Sequence, residues 1–132
     1  MKAVIIGGSI AGSTVAFTLR RKLPQASITV ITDEAYPLYD RRKLLDYWAG
    51  AIKEKELFLV SADAYEKQQI TLLKACRAVS VNPNRRTVSY KKDDTRHTLD
   101  FDYLIVASGC RTAKPDIEGI NKTVVLRFDR LG

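Results

Sequence analysis

The chain has little that could tie a small protein together covalently or around a metal. Its 132 residues include two cysteines, Cys76 and Cys110, and one histidine, His97. Neither cysteine stands in a C-x-x-C pair or a Cys/His cluster, so neither a disulfide framework nor a zinc site is indicated, and both are expected to be ordinary buried thiols. No apolar run approaches the roughly 18 residues that cross a bilayer. The first apolar stretch, Ala3 to Ile6, meets glycine too early for a signal peptide. A cytoplasmic location is therefore expected, with no membrane partner. Internal repeats and low-complexity tracts are also missing.

What is present is ordinary for one globular domain: 45% hydrophobic and 28% charged residues. A chain of this length can bury roughly two thirds of the surface its unfolded form exposes. The net charge of +7 is uneven, with 9 basic and 8 acidic residues in positions 1–66 against 13 and 7 in positions 67–132. The late cations come as scattered pairs, Arg85 with Arg86 and Lys91 with Lys92, without interleaved aromatics, so no nucleic-acid partner is expected. A solvated basic face that attracts an anionic cofactor or an acidic partner is the simpler reading.

Periodicity places the elements. Lys2 to Ile6 reads as a buried central strand ending in Gly-Gly. From Ile10 to Leu23 the pattern is helical, with Ala11, Val15, Leu19 and Leu23 on one stripe and Arg20, Arg21 and Lys22 at the negative end of the dipole, before Pro24. "SITVIT", Ser27 to Thr32, is a second buried strand, completing a β-α-β unit with parallel strands. Beyond the loop "EAYPLYDRRKL", a helix is expected near Arg42 to Ala51 with Leu44, Tyr47, Trp48 and Ala51 on one face, and another near Ala62 to Gln69, followed by the strand "ITLL" at Ile70 to Leu73. Trp48 and the tyrosines are expected to serve packing. Between Cys76 and Leu99 the pattern alternates in "RAVSVN", "RTVSY" and "RHTLDF", split by Asn82-Pro83-Asn84 and Lys92-Asp93-Asp94, which predicts an inserted three-stranded antiparallel meander with His97 on its surface. "YLIVA", Tyr103 to Ala107, returns as a buried parallel strand. The rest is loop-like apart from "TVVLRF" at Thr123 to Phe128. The expected class is α/β, a Rossmann-like three-layer β-α-β core with a parallel sheet and the meander inserted, residues 1–132 forming one domain.

The turn after the first strand carries the chemistry. "GGSIAG" has Gly7 and Gly12 at the outer positions of a dinucleotide-binding fingerprint, with Ser9 where the pattern has its middle glycine. Amides at the start of the following helix suit a pyrophosphate, held here by Gly7, Gly8, Ser9, Ile10, Ala11 and Gly12. Ser9 adds only a hydroxymethyl group, tolerated if its dihedrals are negative. Asp33 and Glu34 lie about 21 residues beyond Gly12, where an acid accepts hydrogen bonds from an adenosine ribose.

Together, "VIIGGSIAG", "ITVITDEAYPLYDRRKLL", the meander and "FDYLIVASGCRTAKPDIEG" resemble the amino-terminal FAD domain of the FAD-dependent pyridine nucleotide-disulfide oxidoreductase superfamily, over essentially the whole chain. Within it, "Y-x-R-x-x-L" at Tyr39 to Leu44 is most similar to the rubredoxin, ferredoxin and nitrite reductase branch. The resemblance implies that Arg41 lies near the FAD pyrophosphate, that a backbone contact to adenine falls near Ala78, and that Ala107, Ser108 and Gly109 close over the cofactor, with Arg111 a weaker candidate. Asp46 stands where that branch often has a lysine. Residues 40 to 51 contain no cysteine, which speaks against a dithiol or single-cysteine mechanism.

Complete chains of the family continue with an NAD(P)H domain, a return segment of the FAD domain and an interface domain, none of which is found within residues 1–132. The expectation is thus an amino-terminal FAD-binding portion, a truncated piece with little or no turnover alone. In the complete enzyme, hydride passes from NAD(P)H to the flavin and electrons go on to an acceptor that the sequence does not name. No catalytic side chain and no metal site are identified. The alternative is a stand-alone adenine-nucleotide-binding or interaction module without catalysis, for example a homodimer through surfaces left bare. A plain NAD-binding Rossmann domain is disfavoured, because it would continue with alternating strands and helices instead of a meander.

Overall fold

The unbroken apolar run Lys2–Ile6 forms strand β1, and the β-branched run Ser27–Ile31 forms β2 beside it, parallel and in register from Lys2 opposite Ser27 to Ile6 opposite Ile31. The computed structural model describes residues 1–61, 63–110, 113, 115–120 and 129–131. Helix α1, Ile10–Lys22, links these strands. Next come a single 3-10 turn at Arg41–Lys43, helix α2 at Leu44–Trp48, another 3-10 turn at Glu54–Glu56 and helix α3 at Ala64–Lys67. Strands β3 (Ile70–Leu73), β4 (Arg77–Asn82), β5 (Thr87–Lys92), β6 (Thr95–Asp100) and β7 (Tyr103–Val106) follow. The parallel sheet has the order β3-β2-β1-β7, and the separate antiparallel sheet runs β4-β5-β6.

Strand alternation divides the core into two layers. Ile5, Ile28 and Val30 point towards α1 and α3, packing with Ala16, Ala26, Tyr65 and Ile70. Val4 and Ile31 point the other way, onto Cys76, Val88 and Tyr90 under the meander. The chain is therefore a helix layer, a parallel sheet and an antiparallel sheet, the α/β architecture that the periodicity implied.

Four local expectations need correction. Helix α1 buries Gly12, Ser13 and Ala16, while Ala11 is exposed and Leu23 caps the helix at 41% exposure. Small residues form the contact because the helix start lies directly on the end of β1. The helix expected near Arg42 to Ala51 shortens to Leu44–Trp48; Leu44 is buried with Tyr39 and Leu57, but Trp48 is 66% exposed and Ala51 is exposed too. That helix is too short to present one continuous apolar face. Strand β7 is parallel as expected, yet as the edge of the sheet it leaves Tyr103 and Val106 exposed. Cys76 is buried as expected and Cys110 is exposed. The meander matches its sequence pattern, with His97 exposed and stacked on Tyr90 at 5.1 Å. "TVVLRF" and Arg111 lie outside the described residues. Among the described residues no helix is long and apolar enough to cross a membrane.

Candidate functional site

The turn after β1 is built by close backbone approach. Gly7 has φ +111°, and a Cβ there would stand 2.2 Å from the Ala107 carbonyl oxygen. A Cβ on Gly12 would stand 1.8 Å from the Gly7 carbonyl oxygen, so the first turn of α1 rests on the strand end. Ser9 takes φ −81° and ψ −167°, an extended conformation open to any residue, as expected of a serine in place of glycine. As N-cap it makes no side-chain cap bond, and the first-turn amides of α1 have no intrahelical acceptor. Those amides and the positive end of the helix dipole form an anion-accepting corner.

A buried hydroxyl pair braces this corner from below. Ser13 Oγ donates to the Gly8 carbonyl at 2.8 Å and lies 2.6 Å from the Tyr65 hydroxyl. Since the single Ser13 proton goes to Gly8, Tyr65 donates to Ser13. Burial pushes the Tyr65 phenol above its ordinary pKa, which keeps that proton in place.

A shallow cleft runs from Gly8 and Ser9 past Thr32 and Glu34 to Tyr36 and Tyr39. Glu34 sits at its floor, accepting from the Tyr39 hydroxyl at 2.5 Å and from the Arg41 guanidinium. Burial, then the bond to Glu34, pushes Tyr39 up to about 12, so it stays a donor. Its oxygen accepts from the Leu131 amide at 3.0 Å, and Arg41 also donates to the Asp129 carbonyl at 2.5 Å. Asp33 is exposed and faces Arg130 at 3.6 Å. Beside them, the Asp40 carboxylate is held down at about 2 by hydrogen bonds from Arg42, whose side chain and backbone N–H both reach it.

The structure thus brings Gly7, Gly8, Ser9, Ile10, Ala11, Gly12 and Glu34 around one end of the sheet. Ala107 joins them through the Gly7 contact and its own amide, which donates to the Ile6 carbonyl at 2.7 Å. Ser108 and Gly109 follow, exposed, on the same loop. Ala78 packs under the sheet beside the cluster of Ile31 and Cys76. Arg41 is placed on Glu34. Ser13, Tyr39 and Tyr65 were not singled out as site residues; Tyr39 is marked locally as the first residue of "Y-x-R-x-x-L", and no such signal exists for Tyr65, 52 positions from its partner.

The donor set fits an adenine dinucleotide. Amides without acceptors face the corner, small side chains leave room above it, and each Glu34 oxygen carries one donor, leaving lone pairs for ribose hydroxyls. Among the described residues no group of His, Cys, Asp and Glu could hold a metal.

Comparisons with known proteins give the family and the fold. A family model described as pyridine nucleotide-disulphide oxidoreductase matches residues 1–131. A curated NADH oxidase of Methanocaldococcus jannaschii is 30% identical over 122 residues, covering 90% of this chain and 27% of that protein. The ferredoxin–NAD(+) reductase component of a p-cumate 2,3-dioxygenase system from Pseudomonas putida is 31% identical over 128 residues, covering 96% and 31%. Among solved structures, an NAD-dependent persulfide reductase from A. fulgidus superposes with a TM-score of 0.85 at 34% identity, over 93% of this chain and 24% of that one. The chain spans under a third of the length of the curated relatives it matches.

Proposed function

The chain belongs to the pyridine nucleotide-disulphide oxidoreductase family, and from that premise we propose that residues 1–132 are the amino-terminal FAD-binding portion of an FAD-dependent NAD(P)H oxidoreductase. The observation that carries this reading is the corner formed by Gly7, Ser9 and Gly12 over the start of α1, with Glu34 opening onto the same cleft. In it, the amides of Ser9 to Gly12 hold the pyrophosphate, and Ala107, Ser108 and Gly109 cover the cofactor. Glu34 accepts from the adenosine ribose while Tyr39 fixes its carboxylate, and Asp33 is the second ribose candidate. Arg41, held on Glu34, supplies positive charge for the phosphates, and the backbone near Ala78 reaches adenine. When bound, FAD takes hydride from a nicotinamide and passes electrons to an acceptor; the protein's part is orientation and electrostatics. The acceptor is an electron-carrier protein of the kind named for the P. putida relative, a ferredoxin.

Binding alone tests this reading. FAD titrated into the protein is expected to lose flavin fluorescence, ADP to compete, and FMN, which lacks the adenosine half, to leave the signal unchanged. FMN competing as well as ADP, or no binding of FAD or ADP, overturns the assignment. NADH oxidation by these 132 residues alone would overturn the view that they form only the FAD-binding portion.

A further inference from the structure

The outer face of the meander carries an arrangement that the nucleotide site does not use. Strands β4, β5 and β6 turn Ala78, Val88, Tyr90 and Leu99 towards the parallel sheet. Alternation therefore sends Arg77, Lys91 and Arg96 outward, and the register sets Arg77 opposite Lys91 and Lys91 opposite Arg96. All three are exposed, and none forms an ion pair with a described residue. Like charges directly opposite one another across a sheet repel, so the row costs the free protein stability that an anion would restore. One row further, Ser80, Ser89 and Thr98 form a second line; Arg96 donates to Ser80 Oγ at 3.4 Å, and Ser89 and Thr98 lie 3.3 Å apart. The acids nearest in sequence, Asp93 and Asp94, sit in the hairpin turn beyond the row.

We infer that this face is a docking surface for an acidic helical segment of a partner protein. Cations on neighbouring strands stand about 4.8 Å apart, which matches carboxylates on one helix face at i, i+3 or i+4, spaced about 5–6 Å. A cleft beside Thr98 and Asp100 opens towards Lys2 and Ser27, but Arg77, Lys91 and Arg96 do not line it; the row lies on open sheet surface, which suits an extended protein surface better than a small anion. No aromatic side chain stands among these outward positions to stack on bases, which disfavours single-stranded nucleic acid. The serine and threonine line supplies neutral donors to the flank of the same helix.

The test uses the whole 132-residue protein and a synthetic helical peptide with glutamates four residues apart, at low ionic strength. Binding by fluorescence anisotropy is expected to weaken with salt and to fall about tenfold in the triple variant Arg77→Gln, Lys91→Gln, Arg96→Gln. A control triple, Arg21→Gln, Lys22→Gln, Lys55→Gln, removes the same charge elsewhere and is expected to bind like the parent. Lys91→Thr alone is expected to raise the thermal midpoint by relieving repulsion, which also shows that the strands still form. Equal losses in both triples would reduce the effect to net charge and overturn the inference. So would tighter binding of a single-stranded oligonucleotide, full displacement by millimolar inorganic phosphate, or a lowered midpoint in Lys91→Thr.

Discussion

The loop that follows β1 and the loop that follows β7 leave the same end of the parallel sheet side by side, and both contain a glycine with positive φ. Gly7, at +111°, has the Ala107 carbonyl where a Cβ would go, and Gly12 has Gly7's own carbonyl there. Gly109, at +67°, has nothing within 4 Å. The first loop is thus shaped by contact with the protein and is complete without a ligand. The second is anchored at Ala107 but has open space at Gly109, room for whatever lies over the sheet. A cofactor corner needs both properties: fixed amides to aim at charge, and open room for the ligand beside them.

The largest effect expected is from Gly12→Ala. Its Cβ meets backbone, which cannot swing aside, so urea unfolding should show a loss of about 3 kcal/mol together with loss of FAD binding. A stability change within experimental error would mean that the first loop is as free as the second. Ser13→Ala comes next, since it leaves the Gly8 carbonyl without its donor and takes away the acceptor of the buried Tyr65 proton, with the Leu38 backbone still bonded to that hydroxyl; about 2 kcal/mol is expected. Equal destabilisation by Ser13→Ala, Tyr65→Phe and the double variant would locate that energy in the pair.

Gly109→Ala probes the other loop. It pays only for an L residue at positive φ, about 1 kcal/mol, with no steric term, and thermal melts of the two glycine variants side by side sharpen the contrast.

The smallest effect is acid-induced. Asp40 titrates at about 2 in the folded protein, below its ordinary value, because Arg42 bonds its carboxylate. A depressed folded value stabilises above the unfolded one and fades as pH falls through the folded one, so the contribution is present at neutral pH and shrinks below about pH 4. Arg42 is 86% exposed, so solvent screens the pair and the slope is shallow. Urea midpoints measured down this range should fall less for Asp40→Asn than for the parent.

Much of this was legible in the residues. Lys2–Ile6, Ile70–Leu73 and the three meander strands stand where alternation and apolar runs placed them, because strand pattern is a local property read every two residues. The glycine turn was legible too, since only a tight turn and close approach ask for Gly7 and Gly12. Helix faces were less so. The stripe through Ala11 and Leu23 had the right period, but which stripe is buried depends on where the helix sits, and Gly12, Ser13 and Ala16 took that face. Near Trp48, apolar spacing described a helix that the packing around Leu44 and Leu57 cut short.

By itself the sequence determined the order of elements, the parallel pairing implied by the β-α-β unit, and the residues that make a pyrophosphate turn, since backbone sterics and strand periodicity act over a few neighbours. Tertiary structure alone decided that Tyr65 supports the turn through Ser13 and that β7 lies at the sheet edge. It also joined Tyr39 and Arg41 on Glu34 and drew Arg77, Lys91 and Arg96 into one row. Ser13 meets Tyr65 across 52 positions and β1 meets β7 from the far end of the chain, so how whole layers pack sets those contacts; Tyr39 and Arg41 are close to Glu34 in sequence, but their placement depends on the packing of Tyr39 with Leu44 and Leu57.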